Sequence, residues 1–270
     1  MVEIVKKYKI GSRRFGLINW VGAWTLYQKE TLRFLIVWVQ TIFSPLISSL
    51  LFLLVLSLAI GTGRGEMLGV SFISFLAPGL IAMQVIQQSF SHSSSSFMIG
   101  KIQGNIVDVL YAPLSAAEVT IAVSLAAATR SFMIAAVSIL TFYLIIDIQI
   151  KHFFLLIIFT FLSSFILGNI GTIIGLWAEK FDHMASATNF VIVPLSFLSG
   201  TFYTTDRLPE SIQIISKANP FFYMIDGFRY CFIGTSDGSI SVGIIYLSIL
   251  SLLSWFTAYY LYKKGYKIKS

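Results

Sequence analysis

Phe153-Phe-Leu-Leu-Ile-Ile-Phe-Thr-Phe-Leu-Ser-Ser-Phe-Ile-Leu-Gly-Asn-Ile-Gly-Thr-Ile-Ile-Gly-Leu-Trp-Ala178 carries no charged side chain. A helix rises about 1.5 Å per residue, so about 20 residues cross the roughly 30 Å of a bilayer's hydrocarbon. Backbone amides in hydrocarbon need partners within their own segment, so this run is a helix rather than a strand. Working outward, uncharged runs also fill Phe34–Ile60, Met67–Phe90, Met184–Thr205 and Gly238–Tyr262. Another, Val119–Ile146, is broken only by Arg130. The expected fold is an all-α polytopic membrane protein with six transmembrane helices.

Composition agrees. The chain is 56% hydrophobic and 11% charged, where a soluble domain is about a quarter charged. The only cysteine, Cys231, excludes a disulfide framework and a four-cysteine metal site. His92, His152 and His183 share no ligand-like spacing. No metal and no cofactor of the chain's own is expected.

Lys and Arg orient the spans. With the N-terminus inside, the cytoplasmic side holds Lys6, Lys7, Lys9, Arg13, Arg14, Lys29, Arg33, Lys101, Lys180, Lys263, Lys264, Lys267 and Lys269, which is 13. The outside holds Arg64, Lys151, Arg207, Lys217 and Arg229, which is 5. Both termini are expected in the cytoplasm. The net charge of +7 then reflects positive-inside topology and anionic headgroups, not nucleic acid. No cleavable signal peptide is expected, because the first apolar run begins at Phe34 and is too long for one. Residues 1–33 form a cytoplasmic tail and interface helix, 34–262 the membrane domain, and 263–270 a basic tail. Trp20, Trp24 and Tyr27 suit a helix lying at the interface.

Two loops stand apart. The cytoplasmic loop 92–115 contains Gly100-Lys-Ile-Gln-Gly-Asn-Ile-Val-Asp-Val-Leu-Tyr-Ala-Pro-Leu-Ser115. Ile102, Ile106, Val109 and Leu110 recur at helical spacing, and Pro113 stops the helix. Such a helix packs against its own bundle or presents its face to a partner's groove. Gly100-Lys101 is not a phosphate loop: Ser95 stands where the first glycine belongs and Ile102 where Ser or Thr belongs. The outer region 204–237 is polar and broken at Pro209 and Asn219-Pro220. It suits two extracellular half-helices dipping into the membrane. On the second, Asp226 and Arg229 share a face and can pair, among aromatics that include Phe222 and Tyr223. In the third span, Glu118 and Arg130 either form a structural pair or line a translocation path. Gly171 and Gly175 allow close helix packing, expected within the chain.

Three blocks carry a resemblance: Gly175-Leu-Trp-Ala-Glu-Lys-Phe-Asp182, Pro194-Leu-Ser-Phe-Leu-Ser-Gly-Thr-Phe-Tyr203 and Asn219-Pro-Phe-Phe-Tyr-Met-Ile-Asp-Gly-Phe-Arg-Tyr-Cys-Phe-Ile-Gly234. In this order they resemble the membrane subunit of ABC-2 type transporters, the drug- and polysaccharide-export branch. The resemblance implies a permease of a bacterial inner membrane that carries no ATPase itself. It implies a partner ATP-binding subunit holding ATP and Mg, and a second permease copy. It makes the loop around Lys101, Gly104, Ile106, Asp108, Leu110 and Pro113 a coupling element, and the region of Asp226, Arg229, Phe222 and Tyr223 an outer gate. The substrate does not follow, since such permeases carry drugs, lipids or lipid-linked glycans. An ATPase-independent channel or secondary transporter, and a membrane-embedded transferase, are the alternatives. The first typically shows several intramembrane charges or an inverted repeat; the second needs clustered catalytic groups.

Overall fold

The computed structural model describes residues 18–60, 66–146 and 148–268. The basic residues expected in the tails before residue 18, together with Arg64 and Lys269, lie outside the described residues. The described chain is helical, and its apolar surfaces face outward as well as inward. Leu51, Leu54, Val55 and Leu58 on one helix and Leu252, Leu253 and Phe256 on another are all exposed. Water would penalise that surface and lipid does not.

The helix expected at the interface is α1, Trp20–Ile36. Asn19 caps it, its side chain accepting from the Gly22 amide at 2.9 Å. Trp20 and Trp24 point outward, while Leu26, Glu30 and Phe34 are buried. A π-helical turn, Val39–Phe43, leads into α2, Ser44–Ile60. Pro45 has no N–H to return to the carbonyl one turn back, and the chain winds wider just before it. The same pattern recurs later. α7, Phe181–Ala187, passes through a π turn, Thr188–Ile192, into α8, Val193–Leu198, and Pro194 again follows the wide turn.

α3, Phe72–Ile102, is the innermost helix. α4, Ile106–Tyr111, α5, Ala116–Ile146, and α6, Phe153–Trp177, follow. α3 and α6 meet backbone to backbone. A methyl group added at Gly171 would stand 2.5 Å from the Phe90 carbonyl oxygen, and one at Gly175 2.8 Å from that of Ser94. The small-residue spacing is therefore an intrachain seam, as expected. The region after α8 holds α9, Glu210–Ala218, and α10, Pro220–Ile233, separated at Asn219-Pro220. α11, Ile240–Lys263, closes the bundle.

Among the described residues five helices are long and apolar enough to cross a membrane: Val39–Ala59, Phe72–Ile102, Ala116–Ile146, Phe153–Trp177 and Ile240–Lys263. The run Met184–Thr205 behaves differently. Its helix is interrupted at the π turn and ends at Leu198, short of Thr205.

Candidate functional site

At one end of the bundle, α4 stands between α1 and α5. Gly104, at φ +77°, makes the turn out of α3 that a side chain would strain. Ile106 is buried with Leu26, Phe97, Val119 and Val123. Val107, Leu110 and Tyr111 are exposed, Tyr111 by 86%. The apolar face expected at 102, 106, 109 and 110 is thus divided: Ile106 belongs to the bundle's own core, and Ile102 and Leu110 face outward. Asp108 is exposed in the first turn. The carbonyl of Pro113 accepts from the Asn19 side chain at 3.0 Å, which ties the α4–α5 turn to α1. A cleft of about 370 Å³ separates α1 from α4, with Lys29 and Asp108 on its walls.

Lys101 does not project from this end. Its Nζ donates to the carbonyls of Leu176, at 2.9 Å, and Ala178. It closes the C-terminus of α6, where free carbonyls and the helix dipole favour a cation. Beside it, Lys267 meets Glu179 at 2.7 Å and holds that carboxyl below the usual carboxylate range.

Glu118 and Arg130 are not a pair. They are twelve residues apart on one helix, about 18 Å. Glu118 accepts from the backbone amides of Ser115 and Asn19, both at 2.6 Å, and so joins the starts of α5 and α1. Arg130 donates to the Gln88 side chain on α3. A second polar group lies between α1 and α3. Buried Glu30 accepts from Arg33 Nε at 3.0 Å and Ser96 Oγ at 2.7 Å, and its Oε2 is 3.8 Å from His92 Nε2. Arg33 also donates to the His92 carbonyl at 2.9 Å. Sequence reading did not single out Glu30 and Gln88, and it counted Arg33 only among the cytoplasmic charges. Their i, i+3 spacing on α1 and the glutamines inside an uncharged run were the available signals.

At the other end, α10 is buried on nearly every side. Asp226 and Arg229 share a face, yet the expected ion pair between them is not formed. Asp226 accepts from the amides of Asp237, at 3.0 Å, and Gly238, at 2.9 Å. Arg229 donates to the carbonyls of Gly200, at 2.7 Å, and Thr201, at 3.2 Å, and its guanidinium lies 3.8 Å from the centre of the Phe75 ring. Both charges are spent on main chain, Arg229 on the turn after α8 and Asp226 on the turn before α11. Phe222 is buried against Gly238, and Tyr223 meets Tyr246 edge-on at 5.4 Å. Asn219 caps α10 and donates to Leu195 and Ser199 of the α8 end. Lys151 donates to the Ile233 carbonyl and holds the far end of α10 against the start of α6.

Among the described residues no three His, Cys, Asp or Glu side chains could hold a metal together. His152 stacks on Tyr230 and His183 leans on Trp177.

A sequence profile of the ABC-2 type transporter family matches residues 22–233. The chain belongs to the ABC-2 type transporter family. The inner membrane transport permease YadH of Escherichia coli K12 is 30% identical to it over 242 residues, covering 88% of this chain and 94% of YadH. Nodulation protein J of Neorhizobium galegae is 23% identical over 249 residues, 90% and 92% of the two chains. Nodulation protein J of Rhizobium leguminosarum bv. viciae is 24% identical over 251 residues, 88% and 93%. The matched span of this ABC-2 chain runs from within α1 to the end of α10, so α4, Arg130 and α10 fall inside it.

Proposed function

We propose that this chain is the permease subunit of an ATP-driven exporter in a bacterial inner membrane. Two copies enclose the translocation path, and separate subunits bind ATP and Mg and hydrolyse the nucleotide. Family membership and the transport permease relative support the role. Six crossings are assigned, with the interrupted helix of residues 181–198 supplying the fifth. The excess of Lys and Arg puts both termini and α4 in the cytoplasm. α9 and α10 then form the outer hairpin that closes the path, with α9 presenting Ile214 and Ile215 to the outer leaflet.

The observation that carries the reading is α4. It is short, anchored by Ile106 and by the Asn19–Pro113 bond, and it exposes Val107, Leu110 and Tyr111 beside the α1 cleft. An anchored helix with apolar residues facing water is suited to a groove on another protein. The test is co-expression with the ABC-type ATP-binding subunits of the source genome, followed by capture on a tag placed on the permease. Capture with ATP hydrolysis is expected. Absence of any such subunit from the purified chain overturns the reading.

A further inference from the structure

We propose that the cavity between α2, α3 and α8 binds an uncharged, hydrogen-bonding group of the exported molecule, one bearing hydroxyls or carboxamides. The proposal rests on the export reading and adds what the path recognises.

The cavity has a volume of about 280 Å³. Ser49 of α2 borders it, 1% exposed, with its Oγ lacking any hydrogen-bond partner. Most hydroxyls inside this bundle return to a carbonyl of their own helix, as Ser94, Thr160, Ser164 and Ser196 do. Ser49 does not. Across from it, Gln84 and Gln87 of α3 also line the cavity, and among the described residues neither carboxamide has a partner. Gln88 lines it too, its oxygen accepting from Arg130. Spaced three and four apart, the three glutamines lie on one face of the innermost helix. They begin twelve residues into α3, about 18 Å along its axis. Unpartnered amides and hydroxyls are costly at membrane depth, so this face is shaped for something that hydrogen-bonds to it.

The walls define the chemistry. Donors and acceptors come from amides and a hydroxyl, and apolar surface comes from Phe52, Phe197 and Phe202. Among the described residues no carboxylate lines the cavity, and the Arg130 guanidinium stands behind Gln88. A cation there meets repulsion and no counter-ion. An anion finds the guanidinium engaged by Gln88. A neutral polar group meets donors and acceptors on one side and rings on the other. Ligand pockets run from about 300 to 1,000 Å³, so this one holds a single ring-sized group rather than a whole substrate.

The test uses the full-length chain with Ser48→Cys, at an exposed position that also lines the cavity, and Cys231→Ser in nanodiscs, and the rate of its alkylation by a maleimide. Three amphiphiles with the same tail are compared below their micelle concentrations: octyl glucoside, octyltrimethylammonium and octyl sulfate. The glucoside is expected to slow alkylation about tenfold near saturation, as occupancy excludes the reagent, and the charged pair to leave it unchanged. Adding Gln84→Leu and Gln87→Leu is expected to remove the glucoside's protection without changing the melting temperature. Ser44→Cys, which also lines the cavity, reports the same ranking if Ser48→Cys does not label. Equal slowing by all three means that only the tail enters. Strongest slowing by the sulfate means an anion site, and none by the glucoside means a cavity holding only water. Any of these overturns the proposal. A wild-type chain that captures its ATP-binding subunit while the ranking fails sinks this site alone. Failed capture sinks the export reading and leaves the labelling result standing.

Discussion

A guanidinium in a low-dielectric interior needs its charge met, and two carbonyls and an aromatic face meet that of Arg229, while its Nε has no hydrogen-bond partner. Asp226, one turn away, is matched by two amides. Arg229→Gln and Asp226→Asn should each destabilise the protein by about 1–3 kcal/mol, because hydrogen bonds to charge are lost and buried main-chain groups go unsatisfied. Exchanging the two residues should not restore stability: a cation at 226 would face amide donors, and a carboxylate at 229 would face carbonyls. Melting temperatures of the two singles and the exchanged double decide this, and recovery in the double would mean a direct pair. Gly227 lies between them, and a methyl group there would stand 2.1 Å from a carbon of the Phe159 ring. Gly227→Ala should cost about 1–3 kcal/mol by overpacking. Phe159→Leu in the same chain should recover part of it, a coupling that a double-mutant cycle reads directly.

On α4, two substitutions of one chemical kind should part ways. Ile106→Asp buries a carboxylate among Leu26, Phe97 and Val119 and should lower yield and melting temperature. Leu110→Asp changes an exposed side chain. It should leave folding intact while weakening capture of the ATP-binding subunit; unchanged capture and transport would remove Leu110 from the coupling surface. Periodicity made α4 legible as a helix, but it does not say which neighbour covers which side, so Ile106 and Leu110 look alike in sequence. The break at Asn219-Pro220 and the ends of α9 and α10 were legible, because proline and the Asn219 cap act locally. The interruption in Met184–Thr205 was less so: charge counts register a continuous run, whereas a π turn depends on one missing amide near Pro194. The partners of Arg130, Asp226 and Arg229 were not legible either. They are side chains or main chain brought from other helices, and only packing selects them.

At the scale of the whole chain, sidedness is the property that all the other assignments share. With Cys231→Ser as background, Asn105→Cys beside α4 should label only after cells are opened, and Glu210→Cys at the start of α9 should label in intact cells. Both positions are exposed. The reverse result would invert the bundle and place α4 outside. The two π turns, ahead of Pro45 and Pro194, give this architecture a further property. A π turn accommodates one residue more than the α-helical count, and one residue corresponds to about 100° of helix rotation. Because the proline after each wide turn fixes where it sits, the surplus stays in place, like a step cut into a shaft. The helix beyond the step is turned about its axis by roughly that angle, so α2 and α8 show their neighbours faces that an unbroken helical count would have pointed elsewhere.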